Sequence, residues 1–381
     1  MKIVVAIDSF KGTLSAHEAC SIVYDRLRSL LPESEIEFVP MADGGEGTIE
    51  ALTASGSGTI CSAGELSGPL PGMKCEGVYG WLPDDRTAII EMSRVSGLAA
   101  LPVEERNPLL TTTRGTGELI KVVGEGGAEQ ILLTLGGSAT VDGGVGAARA
   151  LGWIFLDRHD KDVKEGGQGL TAIRQIVPPS KPISLPEVKV LCDVTNPLCG
   201  PRGAAAVYAP QKGATPRMVK KLETGLRNLS DRIVADLGMD ICNIPGSGAA
   251  GGFGGGAVAF FGGRLVPGFD VVAETVGLRE KMQGCDIVIT GEGRFDEQSL
   301  QGKVISGVAD YARASGARVV VITGRSTISL RECEEAGVAK VFETSGQRTE
   351  ALTTEEASVS LYETVARVAD YIRNNDDKDK E

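Results

Sequence analysis

Five short apolar runs constrain the fold of this chain more than any other feature. Residues 3–8, 35–41, 130–135, 286–290 and 318–323 are rich in β-branched side chains and read as continuous rather than alternating. Runs of that length and continuity fit strands covered on both faces, as in a parallel sheet. Helical periodicity fills the stretches between them. Over residues 15–31, Ala19, Cys20, Val23, Leu27 and Leu30 recur at helical spacings, Ser15 to Glu18 has the form of a capping box, and Pro32 follows the stop. Residues 115–123, 303–315 and 355–374 carry the same signal, with Thr353 and Glu356 placed to cap the last. Strand and helix in alternation predict an α/β fold with helices on both faces of a parallel sheet.

A length of 381 residues suggests two domains. Residues 63–107 are rich in proline and hold one strand-like run, residues 87–92. Residues 151–283 are irregular, with a strand at 189–194 and a glycine-rich run at 246–263. The expected partition is therefore residues 1–62, 108–150 and 284–381 in one α/β domain, and 63–107 and 151–283 in a second, inserted domain. The polar tail, residues 374–381, is expected to fray.

Composition removes several function classes. A formal net charge of −12 suits general nucleic-acid binding poorly, because that needs a cationic surface. The two histidines, His17 and His159, exclude a histidine-rich metal site and disfavour a Ser-His-Asp triad. None of the eight cysteines forms a C-x-x-C pair, and scattered thiols fit a reducing compartment. The N-terminal run stops at Asp8 and reads as a strand rather than a signal peptide. No apolar run approaches the roughly 18 residues of a membrane span. The expected location is the cytoplasm, with neither membrane nor nucleic acid as partner.

Ligands of open parallel sheets bind beyond the carboxyl ends of the strands. The loops there are residues 8–12 (DSFKG), 42–48 (ADGGEGT), 136–144 (GGSATVDGG), 193–196 (DVTN), 291–296 (GEGRFD) and 324–326 (GRS). They share glycine, small hydroxyls, acids and an occasional base. Glycines let backbone N–H groups crowd an anion, carboxylates suit Mg²⁺, and cations neutralise a transferring phosphoryl group. Each loop also has a structural alternative: a tight turn at 136–144, a helix cap at Asp8, an Asx-turn at Asp193, a solvated cluster at 291–296. Residues 112–117 (TTRGTG) open a helix and read either as its cap or as an anion contact. A Walker A loop is absent, since Gly302-Lys303 has Glu297 in the glycine position and Val304 after the lysine. Residues 246–251 match G-x-G-x-x-G, but no confident strand precedes them.

Eight motifs occur in one order: AIDSFKGTLSA (6–16), ADGGEGT (42–48), TTTRGTGELI (111–120), GGSATVDGG (136–144), CDVTNPL (192–198), APQKGA (209–214), PGSGAAGGFGGG (245–256) and ITGEGRFDEQSLQGK (289–303). In them the chain resembles the bacterial glycerate kinase family, which includes the glycerate 2-kinases, from Met1 to about Ala369. The resemblance implies a flavodoxin-like parallel-sheet domain interrupted by a second, mixed α/β domain, with the active site in the inter-domain cleft. It implies ATP-dependent phosphorylation of D-glycerate, giving 2-phosphoglycerate and ADP, with Mg²⁺. The chain departs from the family pattern at Ile7, Val141 and Arg94.

Glycerate phosphorylation needs a cation for the carboxylate and a base beside the reacting oxygen. Asp193, Asp296 and Lys11 are the expected catalytic residues, and Asp193, Glu292 and Asp296 the expected metal ligands. Substrate and phosphate contacts are expected from Asp8, Ser9, Asp43, Arg114, Gly136, Gly137, Ser138, Thr140, Gly291, Gly293, Arg294 and Lys303. Rival readings are a kinase for another small hydroxy acid, an NAD-linked oxidoreductase and a non-catalytic nucleotide-binding regulator. The expected partners are ATP and D-glycerate, and a homo-oligomer stays open.

Overall fold

A computed structural model of the chain describes residues 1–54, 56–181, 184–300, 303–344 and 352–376. In chain order the strands are β1 (Lys2–Ile7), β2 (Glu35–Phe38), β3 (Thr59–Ser67), β4 (Lys74–Leu82), β5 (Thr87–Glu91), β6 (Gln130–Thr134), β7 (Ile154–Leu156), β8 (Gln175–Val177), β9 (Glu187–Leu191), β10 (Arg264–Val266), β11 (Ile287–Phe295), β12 (Arg318–Ser326) and β13 (Val338–Glu343). The chain divides into two compact units.

The first unit comprises Met1–Asp43, Glu50–Gly56 and Phe269–Glu381. Its sheet is parallel throughout, in the order β13-β12-β11-β1-β2. Counted along this unit's own strands, that is the 2-1-3-4-5 order of flavodoxin-like folds. Ile3, Val5 and Ile7 of β1 pack with Ile289 and Val320 against the apolar stripes of helices Ala16–Leu30 and Thr354–Asp376. Val4 and Ala6, on the other face, are equally buried, which is why the run is continuous rather than alternating. Both expected caps form: Ser15 with Glu18 and Thr353 with Glu356 exchange backbone-to-side-chain hydrogen bonds. β2 departs from the continuous pattern. Its sequence EIEF alternates, and it lies half-exposed at the sheet edge. Of the tail expected to fray, residues 377–381 lie outside the described residues.

The second unit comprises Gly44–Ile49 and Ser57–Gly268. Its six-stranded sheet runs β10-β9-β6-β5-β4-β3, with β5, β6, β9 and β10 parallel and β3 and β4 antiparallel. β7 and β8 form a separate antiparallel pair. This division differs from the expected one. Residues 108–150 belong here because β6 pairs with β5 on one side and β9 on the other, burying Ile131 and Leu133 in this unit's core with Ile90 and Val190. The second boundary falls at Gly268 rather than near residue 283, because Phe269 packs on Tyr311 of the first unit.

The glycine-rich run becomes helix Ala249–Phe261, in which Ala250, Gly251 and Gly252 take left-handed backbone angles. A Cβ on Gly251 would sit 2.0 Å from the Thr140 carbonyl oxygen. The glycines there let two backbones touch. Among the described residues the element before 246–251 is helix Pro216–Leu237 rather than a strand, so the dinucleotide-binding context is missing. Val141 is fully buried in the core, and Arg94 donates to the buried Glu91 carboxylate at 2.9 Å.

Candidate functional site

In the first unit β1 and β11 are neighbours at the point where strand order reverses, the place where such sheets bind ligands. Asp8 follows β1 directly and is buried. Its N–H donates to the Gly291 carbonyl (2.9 Å), and its Oδ1 accepts the Ser9 N–H (2.6 Å). Burial, and then the Asp43 carboxylate, push Asp8 up to about 8, with Lys11 pulling the other way and Glu292 adding to the rise. Lys11 Nζ lies 3.8 Å from Asp43 Oδ2. Burial raises Glu292 as well, against a hydrogen bond from Ser299 and the charge of Lys303. Glu292 Oε1 is buried with no hydrogen-bond partner among the described residues. The fold thus brings together Asp8, Ser9, Lys11, Asp43 and Glu292, with Lys303 within electrostatic reach.

Residues 291–296 differ from the expected loop. β11 continues through Gly291 and Gly293 to Phe295, with Arg294 paired to Arg325 and Phe295 to Ser326 of β12. A Cβ at Gly291 would lie 1.9 Å from the Ile322 carbonyl oxygen, so this glycine permits the close approach of β12. Near the end of β11, Arg294 Nε pairs with Oδ2 of Asp296, just past the strand, at 3.2 Å, the arginine largely exposed and the aspartate partly buried. The Asp296 N–H donates to Ser299 Oγ (3.2 Å).

In the second unit the loop after β6 is fixed mainly through its carbonyls. The Gly137 carbonyl accepts the Leu98 N–H (2.8 Å), and the Ala139 carbonyl accepts Thr111 Oγ1 (2.9 Å). The Ala139 N–H donates to the Ser96 carbonyl (2.9 Å). Lys212 Nζ donates to Ser138 Oγ (2.9 Å) and to the Thr140 carbonyl (2.8 Å). Thr140 Oγ1 is buried with no partner among the described residues. Lys212 is 2% exposed, and burial pushes its ammonium down to about 7 against the pull of Asp142. Asp142, raised by burial, accepts from Thr113 N–H and Oγ1 and from the N–H groups of Gly144 and Gly146. It ties this loop to residues 112–117.

Two expected contacts have other partners. Arg114 pairs with Glu165 through Nε (2.8 Å) and a terminal nitrogen (2.6 Å). Asp193 Oδ1 accepts the Gly268 N–H (2.7 Å) at the start of helix Gly268–Thr275, a capping geometry. Lys212 and Asp142 are not among the residues expected from sequence. Both stand inside quoted motifs, and a lysine among small residues at 209–214 was the available signal.

Among the described residues no three His, Cys, Asp or Glu groups gather to hold a metal ion, so Asp193, Glu292 and Asp296 form no such cage. Mg²⁺ is commonly held by one or two carboxylates together with phosphates and water. Asp8 and Glu292 fit that use: both are carboxylates disfavoured by burial and by the charge of Asp43, and one oxygen of Glu292 is orphaned. A divalent cation supplies the charge they lack.

Comparisons with known proteins agree along nearly the whole chain. The model of the glycerate kinase family matches residues 3–373. The glycerate 2-kinase of Escherichia coli is 40% identical over 371 residues, covering 97% of this chain and 96% of its own. The glycerate kinase of Haemophilus influenzae is 44% identical, with 85% and 86% covered. A crystal structure from Salmonella typhimurium LT2, provisionally named glycerate kinase 2, superposes with a TM-score of 0.85 at 39% identity over 99% of each chain.

Proposed function

Because this chain belongs to the glycerate kinase family, we propose that it transfers the γ-phosphoryl group of ATP to a hydroxyl of D-glycerate, giving 2-phosphoglycerate and ADP. The observation that carries the chemistry is the set of crowded carboxylates at the switch point, Asp8 and Glu292 beside Asp43 and Lys11. The 2-hydroxyl follows the E. coli relative, a glycerate 2-kinase.

Asp8 and Glu292 would hold Mg²⁺, which neutralises phosphate charge when bound. Lys11, mostly exposed beside Asp43, would reach a phosphate oxygen on its long stem, as a point charge does. We assign the base to Asp296, which Arg294 orients and which stays partly accessible. A carboxylate so placed can take the hydroxyl proton as the oxygen attacks. Asp193 already accepts the Gly268 N–H and is assigned a structural role. No described helix is long and apolar enough to cross a membrane, and all eight cysteines are free thiols. The free thiols support a cytoplasmic location.

An ADP-release assay with ATP and Mg²⁺, run over D-glycerate, tartronate and other small hydroxy acids, tests the reading. D-Glycerate should give the highest kcat/KM, with phosphorus NMR locating the ester on carbon 2. ATP binding without turnover of any hydroxy acid would overturn it.

A further inference from the structure

The geometry points to Lys212 as a positioning residue that turns the loop after β6 into a donor site for a substrate oxyanion. Lys212 is held rigidly. It closes the short helical turn Pro210–Lys212, and the next residue, Gly213, has a left-handed backbone (φ 87°) where a Cβ would meet the Arg106 carbonyl oxygen at 2.3 Å. From that base its ammonium reaches Ser138 Oγ and the Thr140 carbonyl.

The consequence lies in which hydrogens remain. Because Ser138 Oγ accepts from Lys212, its own hydroxyl hydrogen is left to donate elsewhere. The carbonyls of Gly137, Ala139 and Thr140 are all engaged by protein donors. The N–H groups of Gly137, Ser138 and Thr140 donate to no protein group among the described residues. Thr140 Oγ1, fully buried, has no partner there either. Donors in excess beside a buried ammonium suit an oxyanion. The nearby carboxylate, Asp142, is already saturated by Thr113, Gly144 and Gly146. The oxyanion is a phosphate of ATP or the carboxylate of glycerate. This inference rests on the kinase reading for its ligands, though not for the site itself.

Calorimetry with ATP and separately with D-glycerate, on wild type, Lys212→Met, Ser138→Ala and the double variant, tests it, alongside steady-state KM for each substrate. Lys212→Met should weaken one of the two ligands roughly tenfold to a hundredfold, the range of a charge-assisted hydrogen bond, and leave the other within about twofold. Loss of ATP identifies phosphate as the ligand, and loss of glycerate identifies carboxylate. Ser138→Ala should weaken the same ligand, and the double variant should be no worse than Lys212→Met alone. A folded Lys212→Met that binds both ligands like wild type overturns the proposal. So does equal weakening of both. Should Lys212→Met not fold, unchanged binding by Ser138→Ala overturns it. Binding is read without turnover, so a chain that binds ATP yet phosphorylates no glycerate sinks the kinase reading and leaves this site standing.

Discussion

Asp8 makes the folded protein less stable as the medium becomes more alkaline. Its carboxyl titrates near 3.8 when free and near 8 when folded. Between those values the folded state holds the extra proton, so stability falls as pH rises through that window. Asp8→Asn removes the effect. In unfolding measured without Mg²⁺, the variant should gain roughly 1–3 kcal/mol over wild type at pH 8 and little at pH 4. An equal difference at both values would mean the residue does not titrate in this window. Asp296 makes a different prediction. Asp296→Asn keeps size and removes the proton acceptor, so kcat should fall by about 10²-fold or more with folding intact. Near-normal kcat would dismiss it as the base.

At the level of elements, the loop after β6 depends on a backbone contact. Gly251 combines a left-handed backbone (φ 70°) with a hydrogen where a methyl would strike the Thr140 carbonyl, itself an acceptor for Lys212. Gly251→Ala should cost roughly 2–5 kcal/mol of stability, from strain and overpacking together, and kcat/KM should drop with it. A thermal midpoint within about one degree of wild type would contradict this. Elements were legible where local chemistry sets them. Ser15 with Glu18 marks a helix start, and β1 announces burial on both faces. β11 was not, because glycine in a sequence signals the end of a strand, whereas Gly291 is required inside it by the close approach of β12. Arg114 and Asp193 were legible as polar residues near loops, but their partners Glu165 and Gly268 lie far along the chain.

For the whole molecule, the class was readable and the assignment of strands to sheets was not. An apolar run states that it will be covered but not by what. β6 could have joined either sheet, and only its pairing with β5 and β9 decides the matter. The family motifs carried the function where periodicity could not. The order of the first sheet has one more consequence. β1 pairs with β11, Ile3 beside Ile287, so β1 waits for a strand made about 280 residues later. At about 5–20 residues per second that delay is roughly 15–60 s. Throughout it a nascent chain carries an unpaired hydrophobic edge on that strand, a surface open to non-native pairing.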